Sequence, residues 1–153
     1  MQPDDIYVSG KYAYVANYVW GSPGVERVNA HVVSCLAEAG LSISAVYVCP
    51  HRRADRCECI KPNPHFLHEA AKEFGVSLRQ SFVVGDHPHD VELALQVGAQ
   101  GVYVCTGHGL HHLDELRGDA VIVPEIGAAA EWILSRWPPY RLRHHVADAA
   151  EII

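Results

Sequence analysis

An α/β fold, with a Rossmann-like, mainly parallel sheet and flanking helices, is what this sequence predicts. Two observations lead there. Short apolar runs rich in β-branched residues alternate with amphipathic segments of helical period, and the connections between them are short. The turn and cap residues fall where such an alternation needs them.

"KYAYVANY" (11–18) reads as a strand. "SPGVERVNAHVVSCLAEAG" (22–40) reads as a helix, with Ser22 as N-cap, Pro23 at the first position and Gly40 at the end. Its apolar face is Val25, Val28, Val32, Cys35 and Leu36. "ISAVYVC" (43–49) is a buried strand. "NPHFLHEAAKEFG" (63–75) is a helix capped by Asn63, with Pro64 at its first position and Gly75 at its end. "QSFVVGD" (80–86) is another buried strand, followed by a helix over 88–98. Short strands over 101–105 and 120–123 and a helix over 125–137 complete the domain, expected to span 1–137; Pro138 and Pro139 stop the last helix. Residues 138–153 are set apart as a C-terminal tail.

Composition sets bounds on function. The chain has 153 residues, 49% hydrophobic and 20% charged, enough for one domain with a real core. A net charge of −6 gives no electrostatic case for nucleic acid or an anionic membrane. The acidic start "MQPDDIYVSG" lacks an apolar signal region, so a cytoplasmic address is expected. In a reducing compartment, clustered cysteines are metal ligands or catalysts more often than disulfides, and five is an odd number for a disulfide framework.

Three of those five cysteines stand in "CPHRRADRCECIKP" (49–62). Cys49, His51, Cys57 and Cys59 offer three thiolates and one imidazole, one of the usual closed structural zinc spheres. For both halves to meet at one ion, the loop must fold back, with "RRAD" (52–55) as the turn. Iron–sulfur ligation is the weaker alternative, because of the histidine. Four protein ligands leave no open position for water, so the expected role is a structural clamp. Cys35 and Cys105 are expected to be core residues.

Lys61 follows the cysteines directly, just ahead of a helix start, where an ammonium and free backbone N–H groups make an anion site. In "VVGDHPHD", Asp86 comes one residue after a buried strand's apolar run and Asp90 lies on the next helix's first turn. Carboxylates at a strand's carboxyl end suit Mg2+, which prefers oxygen ligands. The competing reading makes Asp86 a helix cap and Asp90 a favourable first-turn acid. His87 and His89 read as exposed loop residues.

The stretch from "YVCPHRRADRCECIKPNP" through "FVVGDHPHD" to "VYVCTGHG" resembles the haloacid dehalogenase (HAD) superfamily, and within it the heptose-bisphosphate phosphatase and histidinol-phosphatase group. The likeness covers roughly residues 11 to 135. It implies a HAD-like fold and an Mg2+-dependent phosphomonoesterase acting on a small phosphorylated metabolite, such as heptose 1,7-bisphosphate. It also implies Lys61 on the phosphoryl oxygens, Asp86 as the late metal-binding acid, Asp90 as a supporting acid, and Cys49, His51, Cys57 and Cys59 as the group's zinc site. Asn17 keeps the asparagine of the group's T-N-Q-S-G motif as a substrate contact, with Ala16 in place of the hydroxyl residue.

The sequence also departs from that pattern. It contains no D-x-D, the group's nucleophile and acid pair; Asp4 and Asp5 are adjacent. Ile60 stands where the group usually has Arg. The fold is therefore expected to be incomplete at its N-terminus, with unpaired strand edges open to self-association. The alternative function is a truncated or degenerate member that binds zinc and phosphate without turnover.

Overall fold

The computed structural model describes residues 6–9, 12–18 and 23–136, with side chains from residue 26 onward, Arg53 excepted. The predicted tail, Asp4 and Asp5 lie outside the described residues.

Six strands and five helices alternate along the described chain: β1 (Ile6–Ser9), β2 (Tyr12–Tyr18), α1 (Pro23–Glu38), β3 (Ser42–Cys49), α2 (His65–Phe74), β4 (Phe82–Gly85), α3 (Pro88–Val97), β5 (Gln100–Val104), α4 (Gly109–His112), β6 (Val121–Val123) and α5 (Ile126–Arg136). β2 and β3 pair in parallel, and so do β4, β5 and β6. The carboxyl ends of paired strands therefore lie together, with Tyr18 opposite Cys49 and Gly85 opposite Tyr103.

The strands form two three-stranded sheets, β1-β2-β3 and β4-β5-β6, rather than one continuous ladder. β1 runs antiparallel to β2 and also lies beside β4, so it stands where the two sheets meet. The strand pair that the sequence left open is thus bridged by Ile6–Ser9, a segment the sequence reading did not assign as a strand.

The core follows strand periodicity. Val83 faces Leu67, Ala70, Leu93 and Ala94, which come from α2 and α3. Its neighbour Val84 faces the other way, toward Val102, Ala129 and Ile133, with α5 as cover. Helices thus pack on both faces of β4 and β5, as parallel strands require. Tyr47 of β3 joins the first cluster: its ring stacks on Phe66 at 5.3 Å and its hydroxyl donates to Glu73 at 2.8 Å.

Three local expectations are corrected. α2 begins at His65, with Pro64 in the cap position and no side-chain cap; Asn63 instead donates through Nδ2 to the Cys57 carbonyl at 3.4 Å. The cysteine loop therefore claims the residue that a free helix start would have used. Cys35 is exposed, because α1 packs mainly on β3, through a face that includes Val28, Asn29, Val32, Val33 and Leu36. Cys105 is half-buried, because β5 ends one residue before it. Gly75 closes α2 in the left-handed conformation, as the sequence predicts.

Candidate functional site

The carboxyl ends of β3 and β4 carry the two groups of residues that the sequence singled out. At the end of β3 the chain reverses sharply. Arg53–Asp55 forms a single 3-10 turn, closed by the Asp55 carboxylate accepting the Arg52 N–H at 2.7 Å. Arg56 follows at φ 49°, a left-handed conformation that costs a non-glycine residue about 1–2 kcal/mol. The reversal returns Cys57 and Cys59 to Cys49 and His51.

The four ligand atoms lie within 4.8 Å of one another. Cys59 Sγ is 3.2 Å from Cys49 Sγ and 3.5 Å from Cys57 Sγ, and His51 Nδ1 is 3.3 Å from Cys59 Sγ. Cys49 is buried, Cys57 and Cys59 are half-buried, and His51 is exposed. Burial pushes the Cys59 thiol up to about 12, and its sulfur neighbours push the same way. Burial likewise raises Cys49. At Cys57 burial also pushes upward, but hydrogen bonds from Cys49, Cys59 and nearby backbone outweigh it and the thiol falls. Three close sulfurs that resist ionising together are what a dication would neutralise. A soft set of three sulfurs and one nitrogen at this spacing fits a metal ion such as zinc.

The second group is assembled from several elements. Asp86 follows the last residue of β4, and one of its oxygens, Oδ2, accepts the backbone N–H of His108 at 2.7 Å. It does not cap α3. His87 does, accepting the His89 N–H through Nδ1 at 3.2 Å, while Asp90 Oδ2 accepts the His87 N–H at 3.1 Å in a reciprocal capping box. His87 and His89 are accordingly half-buried rather than exposed. Among the described residues, Asp86 Oδ1 has no bonding partner, so this carboxylate fits a hard cation.

Asp90 is 1% exposed, and its Oδ1 sits 2.9 Å from the Lys61 ammonium, itself 15% exposed. Lys61 therefore reaches the first turn of α3 and pairs with the acid four residues after Asp86. Gly85 permits this approach, since a Cβ there would collide with the Asp90 carboxylate. Ile60, beside the lysine, is buried. The backbone places Asn17 opposite Val48, one residue from the end of β2; its side chain lies outside the described part of the structure.

From the sequence, no residue of the turn after β5 was given a role. Tyr103 is fully buried and donates its hydroxyl to the Gly109 carbonyl at 2.9 Å. Burial, with Asp86 adding repulsion, pushes the phenol up to about 12, so it stays a neutral donor. Gly107 stands at φ 58°, and a Cβ there would collide with Asp86 Oδ2. The paired glycines of "TGHG" were the available signal.

The chain as a whole is similar to known proteins. A HAD-hydrolase-like family model matches residues 58–129. The chain is 36% identical over 91 residues to D-glycero-beta-D-manno-heptose-1,7-bisphosphate 7-phosphatase of Pseudomonas putida, covering 60% of this chain and 52% of that protein. The Pseudomonas aeruginosa protein of the same name is 33% identical over 111 residues, covering 72% and 62%. This chain thus spans about half to three-fifths of the length of those relatives. The crystal structure of D,D-heptose 1,7-bisphosphate phosphatase from B. bronchiseptica, complexed with magnesium and phosphate, superposes with a TM-score of 0.74. That match is 26% identical and covers 81% of this chain and 74% of that one.

Proposed function

We propose that this chain, which matches a HAD-hydrolase-like family model over residues 58–129, forms the cation- and phosphate-binding part of a HAD-like phosphomonoesterase acting on a small sugar phosphate such as heptose 1,7-bisphosphate. The observation that carries the proposal is Asp86 at the carboxyl end of β4, with Oδ2 held by the His108 N–H and Oδ1 open among the described residues, while Lys61 pairs with Asp90 four residues on. The names of the relatives support the substrate class.

In this reading Asp86 holds Mg2+, which when bound neutralises charge on the phosphoryl oxygens. Asp90, with both oxygens already engaged, supports the site and does not ligate the metal. It holds Lys61 in place, with the ammonium as the positive group that meets a phosphoryl oxygen. Asn17, at the end of β2, contributes a substrate contact. Cys49, His51, Cys57 and Cys59 hold a structural zinc that fixes the start of the Lys61 segment. The protein works in the cytoplasm.

A second reading, binding of phosphate and metal without turnover, is favoured by one observation: no D-x-D occurs in these 153 residues. Phosphate release from heptose 1,7-bisphosphate with Mg2+ separates the two. Turnover abolished by Asp86→Asn supports the esterase. Absent turnover, with phosphate binding that still depends on Lys61 and Asp86, supports the second. Absence of both refutes the site.

A further inference from the structure

The turn after β5 touches the candidate cation site, although none of its residues was given a role there from the sequence. Its Gly107 carries the main chain so close to Asp86 Oδ2 that no side chain fits between them. The next residue, His108, donates its N–H to that same oxygen at 2.7 Å. The residue after that, Gly109, accepts the hydroxyl of Tyr103 at 2.9 Å. Tyr103 is fully buried in β5, whose pairing with β4 sets Tyr103 opposite Gly85, immediately before Asp86. One closed path therefore runs from Asp86 through His108 and Gly109 to Tyr103, and back through the sheet to Gly85.

The path has a consequence for the carboxylate. A side chain one residue beyond a strand rotates freely unless something fixes it. Here one oxygen is fixed by a backbone donor, and that donor is fixed by a hydroxyl anchored in the core. The other oxygen is left pointing in one direction. We propose that Tyr103 is a positioning residue: by latching the 106–109 turn, it sets the Asp86 carboxylate for a divalent cation. Support of this kind around a metal ligand commonly changes metal affinity by about 10- to 100-fold. The inference rests on Asp86 holding the cation, as proposed above.

The test is the affinity of the zinc-loaded 153-residue chain for Mn2+, read by electron paramagnetic resonance, with thermal melting of each variant alongside. Wild type should bind Mn2+, and Asp86→Asn should abolish that binding. Tyr103→Phe, which removes only the latch oxygen, should weaken binding by about tenfold or more. Gly107→Ala, at an exposed turn that does not threaten the core, should weaken it at least as much. Val102→Ala is the control for a purely structural effect: Val102 is equally buried in β5 and lies outside the path. It should lower the melting temperature and leave Mn2+ affinity unchanged. Wild-type affinity in both Tyr103→Phe and Gly107→Ala would overturn the proposal, as would an equal loss in Val102→Ala. If Asp86→Asn binds Mn2+ normally, the functional reading itself fails; if only the latch variants do, the site stands and the latch falls.

Discussion

The cysteine loop draws all four of its candidate ligands from one segment, Cys49 to Cys59, whereas the Asp86 corner draws on the Lys61 turn, the β4–α3 junction and the turn after β5. In the loop, a single backbone reversal brings the ligands together, and the sulfurs sit against one another at 3.2–3.5 Å. In the corner, the contacts of Asp86 with His108 and of Lys61 with Asp90 join residues whose proximity depends on the sheet. The first arrangement needs a cation to relieve it. The second is already satisfied by protein groups, with one Asp86 oxygen left over among the described residues. The difference teaches where each metal's effect should appear: stability at the loop, binding and chemistry at the corner.

The largest effect is expected from Cys57→Ser. Structural zinc sites contribute about 10–16 kcal/mol of apparent binding free energy to folding. Losing one thiolate should therefore empty the loop of zinc and lower the melting temperature together. Metal content and thermal melting of one preparation check this; a zinc-free variant with unchanged melting would erase the contrast between the two regions.

Asp90→Ala comes next. It removes the carboxylate paired with a mostly buried ammonium and the acceptor for the His87 N–H, which should cost about 3–5 kcal/mol in urea unfolding. Adding Lys61→Met should recover part of the loss, since the ion pair is then replaced as a unit by apolar groups. A double variant less stable than Asp90→Ala alone would mean the pair is not the unit that holds this corner.

A smaller effect concerns pH. With Cys59 raised to about 12 and Cys49 also raised, these thiols are protonated in the zinc-free protein at neutral pH. Zinc must displace those protons, so apparent zinc affinity should strengthen by about tenfold or more per pH unit between about pH 6 and pH 8. The sign reverses for the empty loop. A raised folded-state thiol favours the fold at lower pH, and that contribution fades as pH climbs from about 9 toward about 12. Zinc titrations by competition at several pH values check the first part, and a pH-independent affinity would contradict it.

The smallest effect is expected from Cys35→Ser. This cysteine is exposed on α1 beside the His31 ring, so stability should change by less than about 0.5 kcal/mol, with zinc content unchanged. Urea unfolding and metal content of the variant check both halves of that expectation.

These contrasts also explain what could be read from the sequence. The strand and helix order was legible because apolar periodicity is a local property, and the four zinc-type ligands were legible because their spacing lies within one loop. Asp86 and Asp90 were visible as residues but not by their partners. That His87, not Asp86, caps α3 depends on which side chain the strand end leaves free for the turn. The His108 N–H that occupies Asp86 instead arrives from a different loop. Cys35 was misplaced because helical periodicity shows an apolar stripe without showing how much of it another element covers. β1 was missed because four residues, Ile6–Ser9, give too short a pattern to separate a strand from a loop.

The measurement closest to the centre of this comparison is zinc-edge X-ray absorption on the purified 153-residue chain, with metal content from the same sample. The expected result is about one zinc per chain in a shell of three sulfurs at about 2.3 Å and one nitrogen at about 2.0 Å, with no oxygen. Protein purified without chelator that carries no zinc, or a zinc whose shell includes water, would contradict a closed structural site in the cysteine loop.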